Sequence, residues 1–543
     1  MILILLSSIL ILSALSGLGK AMESFAGTLN GIAGKILAGI LTVSTLWTMV
    51  SFFIPLDIYV EMPVIMIGLL FFFKERLYIE WYRFLKKDIF LFSAVTLIIL
   101  FCSSYYPYIL DHFGYYVPSI KWLSEYGLIK GISNLDLSLG QMSVWHIFQA
   151  GFSNFSDPFL RINAIILLVY SIYIIEKQSW IQLLFIPVML LFSQSPSPDL
   201  PVIIFSLVIL NEIISGNAKA SHLFLFSAFV FAIKPTMIWL PILVLSYSAF
   251  IIKPTLKTLI PGFLLILLFF LKNIWTFGYP IFPVPVGDIG VYWKPNPEVL
   301  KISSQYAIQK TYDMQYSYEE IQQFTSSDYI KNWLFLNGIK SKINILLILG
   351  LIGFSIFSWR KKDKMAYLIA GSLLIKSILV LLFSAQYRFF LDVFFVIFFV
   401  IFFKYFNRQK ALLIFSAMSI AVILFLSFPA FIATHLPSYK MASFMGKFEK
   451  EQLYKPSVYE PTSFSTFKIG NLEFNVSKNY PYNFETPLPA ISPGYLIDDI
   501  KTDIVPQLIH KNTIQKGFFW KTMIPAERKQ AEHIINCISN TDQ

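Results

Sequence analysis

Cysteine and histidine are scarce in this chain of 543 residues. The two cysteines, Cys102 and Cys537, lie in an apolar run and near the last residues, so the sequence predicts no disulfide framework. The six histidines are scattered, and His112 and His146 lack the spacing to Cys or His that is typical of metal ligands. We therefore predict no metal site built on these residue types.

Charged residues are few as well, at 14% of the chain, whereas hydrophobic residues make up 56% and the mean hydropathy is +0.64. This composition is too apolar for a soluble protein of this length. A phosphate-binding P-loop is also absent, because Gly34-Lys35 is followed by Ile36 and Leu29 stands where the motif needs its first glycine. The sequence thus predicts a membrane protein without a nucleotide-binding fold.

Fourteen apolar runs have lengths that suit helices crossing a hydrocarbon core of about 30 Å. We predict spans at residues 2–18, 32–55, 60–73, 89–107, 161–175, 180–194, 200–214, 221–233, 236–252, 257–271, 343–359, 365–384, 388–405 and 411–430. The pair flanking Lys234-Pro235 forms either two spans or one broken helix. The first run lacks a basic segment and a clear cleavage site, which favours a retained helix over a signal peptide. The prediction is an all-α polytopic membrane protein with about 12–14 transmembrane helices.

Basic residues predict the orientation of these spans. They cluster at 74–88, at 360–364, at Lys253 with Lys257 and at Arg408 with Lys410, which the positive-inside rule places in the cytoplasm. Two long loops, 108–160 and 272–342, and everything after 431 then lie outside. Much of the net charge of +11 comes from these basic residues, whose presence in cytoplasmic turns is explained by the orientation of the spans. We therefore predict no nucleic-acid partner.

The composition changes near residue 431, which predicts two domains. Residues 1–431 form the transmembrane domain with the outer loops 108–160 and 272–342. Residues 432–543 are richer in Lys, Glu, Asn, Ser and Pro and contain strand-like pieces at 464–469 and 472–476. We therefore predict a small extracytoplasmic C-terminal domain that contains β-strands.

The first outer loop holds the densest group of candidate chemical residues. Asp111 directly follows a span, and residues 118–126 predict an interfacial helix that starts at a proline, carries Trp122 and ends before Gly127. The structural alternative is that Asp111 merely terminates a span in water. Glu125 and Asp136 compete with Asp111 for the role of a catalytic carboxylate.

Three cations interrupt apolar sequence on the same predicted side as Asp111. They are Lys234, Lys272 and Arg388. A cation at a membrane face is costly unless it is paired or meets water, so such residues are candidates for function. For Lys234 and Lys272, snorkelling of the ammonium group to the membrane interface explains the position as well as a functional role does. Arg388 favours function, because a guanidinium suits bidentate phosphate binding.

Several short runs, spread over most of the chain, occur in the order that is typical of one family. They are Asp111 with Tyr115, 120–127, 131–135, 195–201, Lys272-Asn273, 278–283, Trp293-Lys294, Arg388-Phe389 and 485–489. On these runs the sequence resembles a bacterial family of large multi-spanning membrane proteins, which itself resembles the GT-C glycosyltransferases. This chain departs from the family pattern at three places: Tyr116 replaces a histidine, Lys272 an arginine, and Gln386-Tyr387 an Asp-Pro.

The resemblance implies a GT-C-like fold and an inverting transfer of a sugar from a polyprenyl-phosphate donor. It implies that Asp111 is the catalytic base, and that Arg388, Lys272 and Lys234 bind the donor phosphate. Accessory roles then fall to Tyr115, Tyr116, Glu125 and Asp199. Trp275 and Trp293 are expected to stack on a sugar or, like Trp122, to anchor the interface.

The same resemblance implies the partners and the location. We expect membrane lipid, the lipid-linked donor, and a cell-envelope glycan or lipid acceptor on the outer face of the bacterial inner membrane. No protein-bound cofactor is expected, although Asp111 with a later carboxylate could hold a divalent cation. A transporter or flippase of lipid-linked surface polysaccharide is one alternative, though no clear internal repeat is visible. A polymerase of such a polysaccharide is another.

Overall fold

The computed structural model describes residues 1–26, 29–435 and 448–539. Contacts within the chain divide it into two units. The first unit comprises Met1–Pro201, Leu267–Asn296 and Arg408–Gln543, and the second comprises Val202–Ile266 and Pro297–Asn407. The predicted C-terminal domain, 432–543, therefore groups with the first helices of the chain. Its residues 436–447 and 540–543 lie outside the described residues.

Most of the chain is helical, as the apolar runs predicted. In chain order the α-helices are α1 (Ile2–Ala26), α2 (Ile32–Val50), α3 (Ile58–Lys74), α4 (Leu77–Ser103), α5 (Val117–Glu125), α6 (Val144–Ala150), α7 (Ile162–Lys177), α8 (Ile186–Met189), α9 (Asp199–Ile214), α10 (Ala220–Ile233), α11 (Trp239–Tyr247), α12 (Ile260–Phe277), α13 (Pro297–Thr311), α14 (Tyr318–Gln322), α15 (Ser326–Leu334), α16 (Ile339–Lys361), α17 (Lys364–Phe383), α18 (Leu391–Phe402), α19 (Arg408–Ser427), α20 (Pro429–His435), α21 (Pro493–Lys501) and α22 (Pro525–Ser539).

Seven helices among the described residues are long and apolar enough to cross a membrane. They are Ile2–Glu23, Ile32–Val50, Pro235–Ile252, Leu256–Phe277, Ile339–Lys361, Lys364–Phe383 and Arg408–Ser427. Other predicted spans are shorter helices, such as Ala220–Ile233, or combine 3-10 and α turns, such as Trp180–Phe192. This result agrees with a polytopic helical protein. The predicted count of 12–14 spans is larger than the seven described helices that meet both the length and the apolarity criterion.

Glycines allow α1, α2 and α3 of the first unit to approach closely. A Cβ atom built on Gly17 would lie 1.9 Å from the carbonyl oxygen of Gly68, and one on Gly39 would lie 2.2 Å from that of Leu15. No side chain fits at these distances. Small residues let helix backbones make close van der Waals contact, which is the usual way that helices pack inside a membrane.

The C-terminal part of the first unit contains two antiparallel hairpins. β1 (Phe464–Ile469) pairs with β2 (Leu472–Ser477), and β3 (Ile504–Leu508) pairs with β4 (Phe518–Thr522). The strands predicted at 464–469 and 472–476 are thus confirmed. Between them Gly470 has a φ of +61°, which favours glycine in a tight turn.

An aromatic cluster joins the C-terminal part to the loop that follows α4. Phe113 and Val117 from the loop pack against Tyr480 and Phe484. The backbone N–H of Phe484 also donates to the carbonyl of Phe113 at 3.1 Å. Because both segments belong to the first unit, the C-terminal part directly supports the backbone that follows Asp111.

In the second unit the chain breaks at Lys234-Pro235. Lys234 is extended, with φ −149° and ψ 108°, and it separates α10 from α11. The two helices then pack against each other, and α11 also packs against α17. The break therefore produces two helices rather than one kinked helix, because proline removes a backbone donor and restricts the residue before it.

Candidate active site

Asp111 directly precedes an irregular turn in the first unit. Residues His112–Tyr116 form a single π-helical turn that continues into α5. Such turns are rare and occur frequently at functional sites. Asp111 is half-buried, whereas Tyr115 and Tyr116 are buried. The turn therefore places a carboxylate at the edge of a buried aromatic layer.

The helix predicted after this turn is present with nearly the predicted bounds. α5 has Pro118 in its first turn, where the missing N–H costs no helical hydrogen bond. Gly127 has a φ of +76°, and its N–H donates to the carbonyl of Leu123 at 3.2 Å. This left-handed glycine ends the helix as expected.

Tyr116 connects the turn to the start of α9. The hydroxyl of Tyr116 donates a hydrogen bond to Oγ of Ser197 at 3.3 Å. The hydroxyl of Ser197 in turn donates to Oδ2 of Asp199 at 3.3 Å. Asp199 is half-buried and lies in the first turn of α9, where the helix dipole favours a negative charge. These two hydrogen bonds thus connect Asp199, one of the predicted accessory residues, to the loop 108–160.

Asp111 and Asp199 both act electrostatically on the buried phenol of Tyr116. Burial raises the pKa of Tyr116 well above its ordinary value, and the charges of Tyr115, Asp111 and Asp199 raise it further. The phenol therefore stays protonated and can only donate or accept a hydrogen bond. The two carboxylates remain as the groups in this neighbourhood that suit general-base chemistry.

A buried histidine lies beside the same tyrosines and within electrostatic reach of Lys272. The ring of His146 is 5.1 Å from that of Tyr116 and 5.7 Å from that of Tyr115. Its Nδ1 accepts a hydrogen bond from the N–H of Ser143. Burial and, to a smaller extent, the charge of Lys272 together lower the pKa of His146 to about 3, so the imidazole is neutral.

Lys272 is buried near the end of α12, and its Nζ donates to the carbonyl of Met142. Its ammonium also lies 5.6 Å from the ring centroid of Phe269. Five predicted residues therefore share one neighbourhood of the first unit: Asp111, Tyr115, Tyr116, Asp199 and Lys272.

Glu125 lies outside this neighbourhood, at the exposed end of α5. Its carboxylate is 4.0 Å from Nζ of Lys121, one helical turn earlier. Lys121 also donates to the carbonyls of Glu485 and Thr486 at 2.9 and 3.2 Å. These contacts favour a local surface role for Glu125.

The three tryptophans make contacts within the protein. Trp122 is buried, with its ring 5.8 Å from that of Phe518. The ammonium of Lys130 lies 4.4 Å from the ring centroid of Trp275 and 5.3 Å from that of Trp293. Both rings therefore take part in cation–π contacts with a lysine of the loop 108–160.

Lys234 and Arg388 belong to the second unit and meet at one aromatic ring. Nζ of Lys234 and Cζ of Arg388 each lie 5.1 Å from the ring centroid of Phe389. Phe389 belongs to the 3-10 turn Tyr387–Phe390, which leads into α18. The break after α10 and the turn before α18 thus bring together two cations that are 154 positions apart in the chain.

The sequence analysis did not identify two further polar pairs. His112 is buried, and its Nδ1 shares a hydrogen bond of 2.9 Å with Oγ of Ser195. In the second unit Lys376 forms an ion pair with Asp392. A lysine in the middle of an apolar run was a signal for the second pair, but no local pattern identified its partner.

A family described as Domain of unknown function (DUF8201) matches residues 1–395. The chain belongs to this family. The match includes Asp111, Asp199, Lys272 and both cations beside Phe389, and it ends before the strands of the C-terminal part. No curated protein and no solved structure matches the chain.

Proposed function

We propose that this protein is a membrane glycosyltransferase on the outer face of the bacterial inner membrane. It transfers a sugar from a polyprenyl-phosphate donor to a cell-envelope glycan or lipid. The observation that supports this proposal is that two half-buried carboxylates, Asp111 and Asp199, lie near enough to the buried phenol of Tyr116 to act on it electrostatically. Catalytic carboxylates need a position that is shielded from bulk water but open to substrate.

In the proposed reaction Asp111 accepts the proton of the acceptor hydroxyl while the hydroxyl oxygen attacks the anomeric carbon. The bond from that carbon to the phosphate oxygen breaks, and polyprenyl phosphate leaves with the bonding electrons. A single displacement of this kind inverts the configuration of the anomeric carbon. Asp199, which accepts a hydrogen bond from Ser197, would help to orient the acceptor.

Arg388 and Lys234 are the proposed phosphate ligands of the second unit, and Lys272 is that of the first. The shared ring of Phe389 supports the assignment of Arg388 and Lys234, because it gathers two cations at one place. Matching the charge of the phosphate makes it a better leaving group. A guanidinium can also bind two phosphate oxygens at once.

The sequence analysis also left open that Asp111, together with a later carboxylate, binds a divalent cation. Among residues 1–26, 29–435 and 448–539 there is no group of three or more His, Cys, Asp or Glu side chains that could hold a metal ion. A cation at Asp111 and Asp199 would therefore need ligands from the substrate or from water. The proposal assigns neutralisation of the phosphate to the lysine and arginine side chains instead.

Reconstitution tests the proposal directly. Proteoliposomes that contain the full chain, undecaprenyl phosphate carrying a tritiated hexose and a cell-envelope extract should form labelled acceptor with inverted configuration. Asp111→Asn should lower the rate at least about a hundredfold, the usual contribution of a general base. Glu125→Gln is the matched control, since this exposed carboxylate lies on the adjacent helix. Full activity of Asp111→Asn would refute the assigned mechanism.

A transporter or flippase of lipid-linked saccharide is the second candidate. The buried pair Lys376 and Asp392 favours it, because ionisable groups inside membrane helices often belong to a transport path. The same proteoliposomes separate the two functions. Movement of the labelled lipid across the bilayer, with the bond between sugar and phosphate intact, would support transport and contradict transfer. A product extended by many repeat units would instead indicate the polymerase alternative.

A further inference from the structure

A second group of polar side chains lies in the first unit, apart from the residues assigned to transfer. Asp136 belongs to the first outer loop and begins the 3-10 turn Leu137–Gln141. Its Oδ1 accepts from the N–H of Ser138 at 2.9 Å, and its Oδ2 accepts from Nδ2 of Asn483 at 3.2 Å. Asp499 lies on α21, in the C-terminal part, one helical turn after Tyr495, whose side chain hydrogen-bonds Asp136. Asp136, Asn483 and Asp499 are only 2%, 3% and 6% exposed.

Two oxygens of this group lack hydrogen-bond donors. Within the part of the chain that the structure describes, neither Oδ2 of Asp499 nor Oδ1 of Asn483 has a hydrogen-bond partner, although both atoms are buried. The amide of Asn483 contacts Asp136 directly, so its free oxygen belongs to the same group. A buried acceptor without a donor has lost its hydrogen bonds to water without replacement, and this loss destabilises the fold more when the acceptor is charged. Such atoms are therefore rare unless a ligand or ion satisfies them.

Positive charge is also missing from the group. In the described ranges no Lys, Arg or His forms an ion pair with Asp136 or Asp499. Lys501, on the same helix, pairs with Asp498 instead. Burial raises the pKa of Asp136 to about 7, and burial together with the charges of Asp498 and Asp136 raises the pKa of Asp499 well above its ordinary value.

We propose that Asp136, Asp499 and Asn483 form a binding site for Ca²⁺. All three supply oxygen, which is the ligand atom that hard cations prefer, and Ca²⁺ accepts carboxylate and amide oxygens in flexible geometry. One ion of charge +2 offsets both carboxylates and satisfies both oxygens that lack donors. Because Tyr495 hydrogen-bonds Asp136, its ring would lie close to the bound ion.

The site joins two segments that are distant in sequence. Asp136 comes from the loop that carries Asp111, whereas Asn483 and Asp499 come from the C-terminal part. The aromatic cluster of Phe113 and Phe484 lies between the same two segments. Bound Ca²⁺ therefore fastens the C-terminal part to the first outer loop, whether or not the protein transfers a sugar.

Terbium luminescence and thermal unfolding test the site in the full chain, purified in detergent. Tb³⁺ replaces Ca²⁺ in oxygen sites, and excitation of Tyr495 should sensitise its emission. We expect saturable emission that Ca²⁺ displaces, and a higher melting temperature in 5 mM CaCl₂ than in EDTA. Asp499→Asn should bind Ca²⁺ at least about tenfold more weakly. This substitution conserves shape and removes a buried charge, so the variant should fold.

Asp503→Asn provides the matched control, because Asp503 is an exposed acid two residues after α21 that pairs with Arg528. It should bind Ca²⁺ like the unmodified protein. The proposal is overturned if CaCl₂ and EDTA give the same melting temperature with no saturable Tb³⁺ emission. It is also overturned if Asp499→Asn and Asp503→Asn bind Ca²⁺ equally well. These outcomes do not depend on glycosyl transfer, so each proposal can fail without the other.

Discussion

Nζ of Lys376 on α17 contacts Oδ1 of Asp392 on α18, and both side chains are almost completely buried. The other carboxylate oxygen, Oδ2, accepts a hydrogen bond from Nε1 of Trp239 at 2.7 Å. Both oxygens of Asp392 are thus engaged inside the second unit. Asp392 follows Arg388 by four residues, so the pair anchors the start of the helix next to the proposed phosphate ligands.

Removing one partner of this pair should destabilise the protein strongly. Lys376→Met leaves the buried carboxylate of Asp392 without its counter-charge, which costs about 3–5 kcal/mol in comparable buried pairs. The double variant Lys376→Met with Asp392→Leu should recover most of this loss, because it leaves no buried charge. The free energy of unfolding in detergent measures both effects.

The exposed pair Lys361 and Asp363 is the control for that measurement. Lys361→Met should change the free energy of unfolding by less than about 1 kcal/mol, as is usual for surface pairs. Equal effects of Lys361→Met and Lys376→Met would show that the buried pair contributes no more than a solvated one.

Arg388 should affect the use of the donor rather than the acceptor. Arg388→Ala removes charged hydrogen bonds worth about 1.5–3 kcal/mol, so we expect KM for the polyprenyl-phosphate sugar to rise roughly 10- to 100-fold. Arg388→Lys should restore part of this affinity, because it keeps the charge without the planar fork. Arg360→Ala, at the end of α16, is the control. An unchanged KM in Arg388→Ala would remove this residue from the phosphate site.

The close contact between α1 and α2 should tolerate no added side chain. In Gly39→Ala the new Cβ would lie 2.2 Å from the carbonyl oxygen of Leu15, so the helices must move apart at a cost of about 1–3 kcal/mol. Gly371→Ala on α17 meets open space and should be neutral or slightly stabilising. The melting temperatures of the two variants give the comparison, and a stable Gly39→Ala would contradict the packing described for α1 and α2.

Asp157 should make stability depend on pH. Burial raises the pKa of this carboxyl from its ordinary value of 3.8 to about 7, whereas Gln149 and Arg161 oppose the shift. The folded state therefore binds the proton more tightly than the unfolded state. The free energy of unfolding should fall as pH rises from about 4 to about 7, by at most about 1.4 kcal/mol per pH unit from this group.

Asp157→Asn should remove that part of the pH dependence, because an amide does not titrate. The useful quantity is the difference in free energy of unfolding between the variant and the unmodified protein at pH 5, 6, 7 and 8. A difference that stays constant across this range would contradict the raised pKa.

Local sequence signals predicted much of the secondary structure. Pro118 and Gly127 bounded α5 within a residue or two, and alternating apolar residues predicted both strands of the first hairpin. These signals succeed because capping and strand alternation depend on neighbouring residues. Hydropathy did not predict the form of every apolar run, since Trp180–Phe192 folds as short 3-10 and α turns rather than as one long helix.

The sequence by itself determined that the chain is apolar and mostly helical, and it selected Asp111, Asp199 and the three cations as candidates. Only the tertiary structure brought Asp111 and Asp199 near one phenol, joined Lys376 to Asp392, and brought Asn483 to Asp136, 347 positions away. The physical reason is that burial of a charge depends on the partner that compensates it. That partner usually comes from a distant segment, which no local pattern can identify.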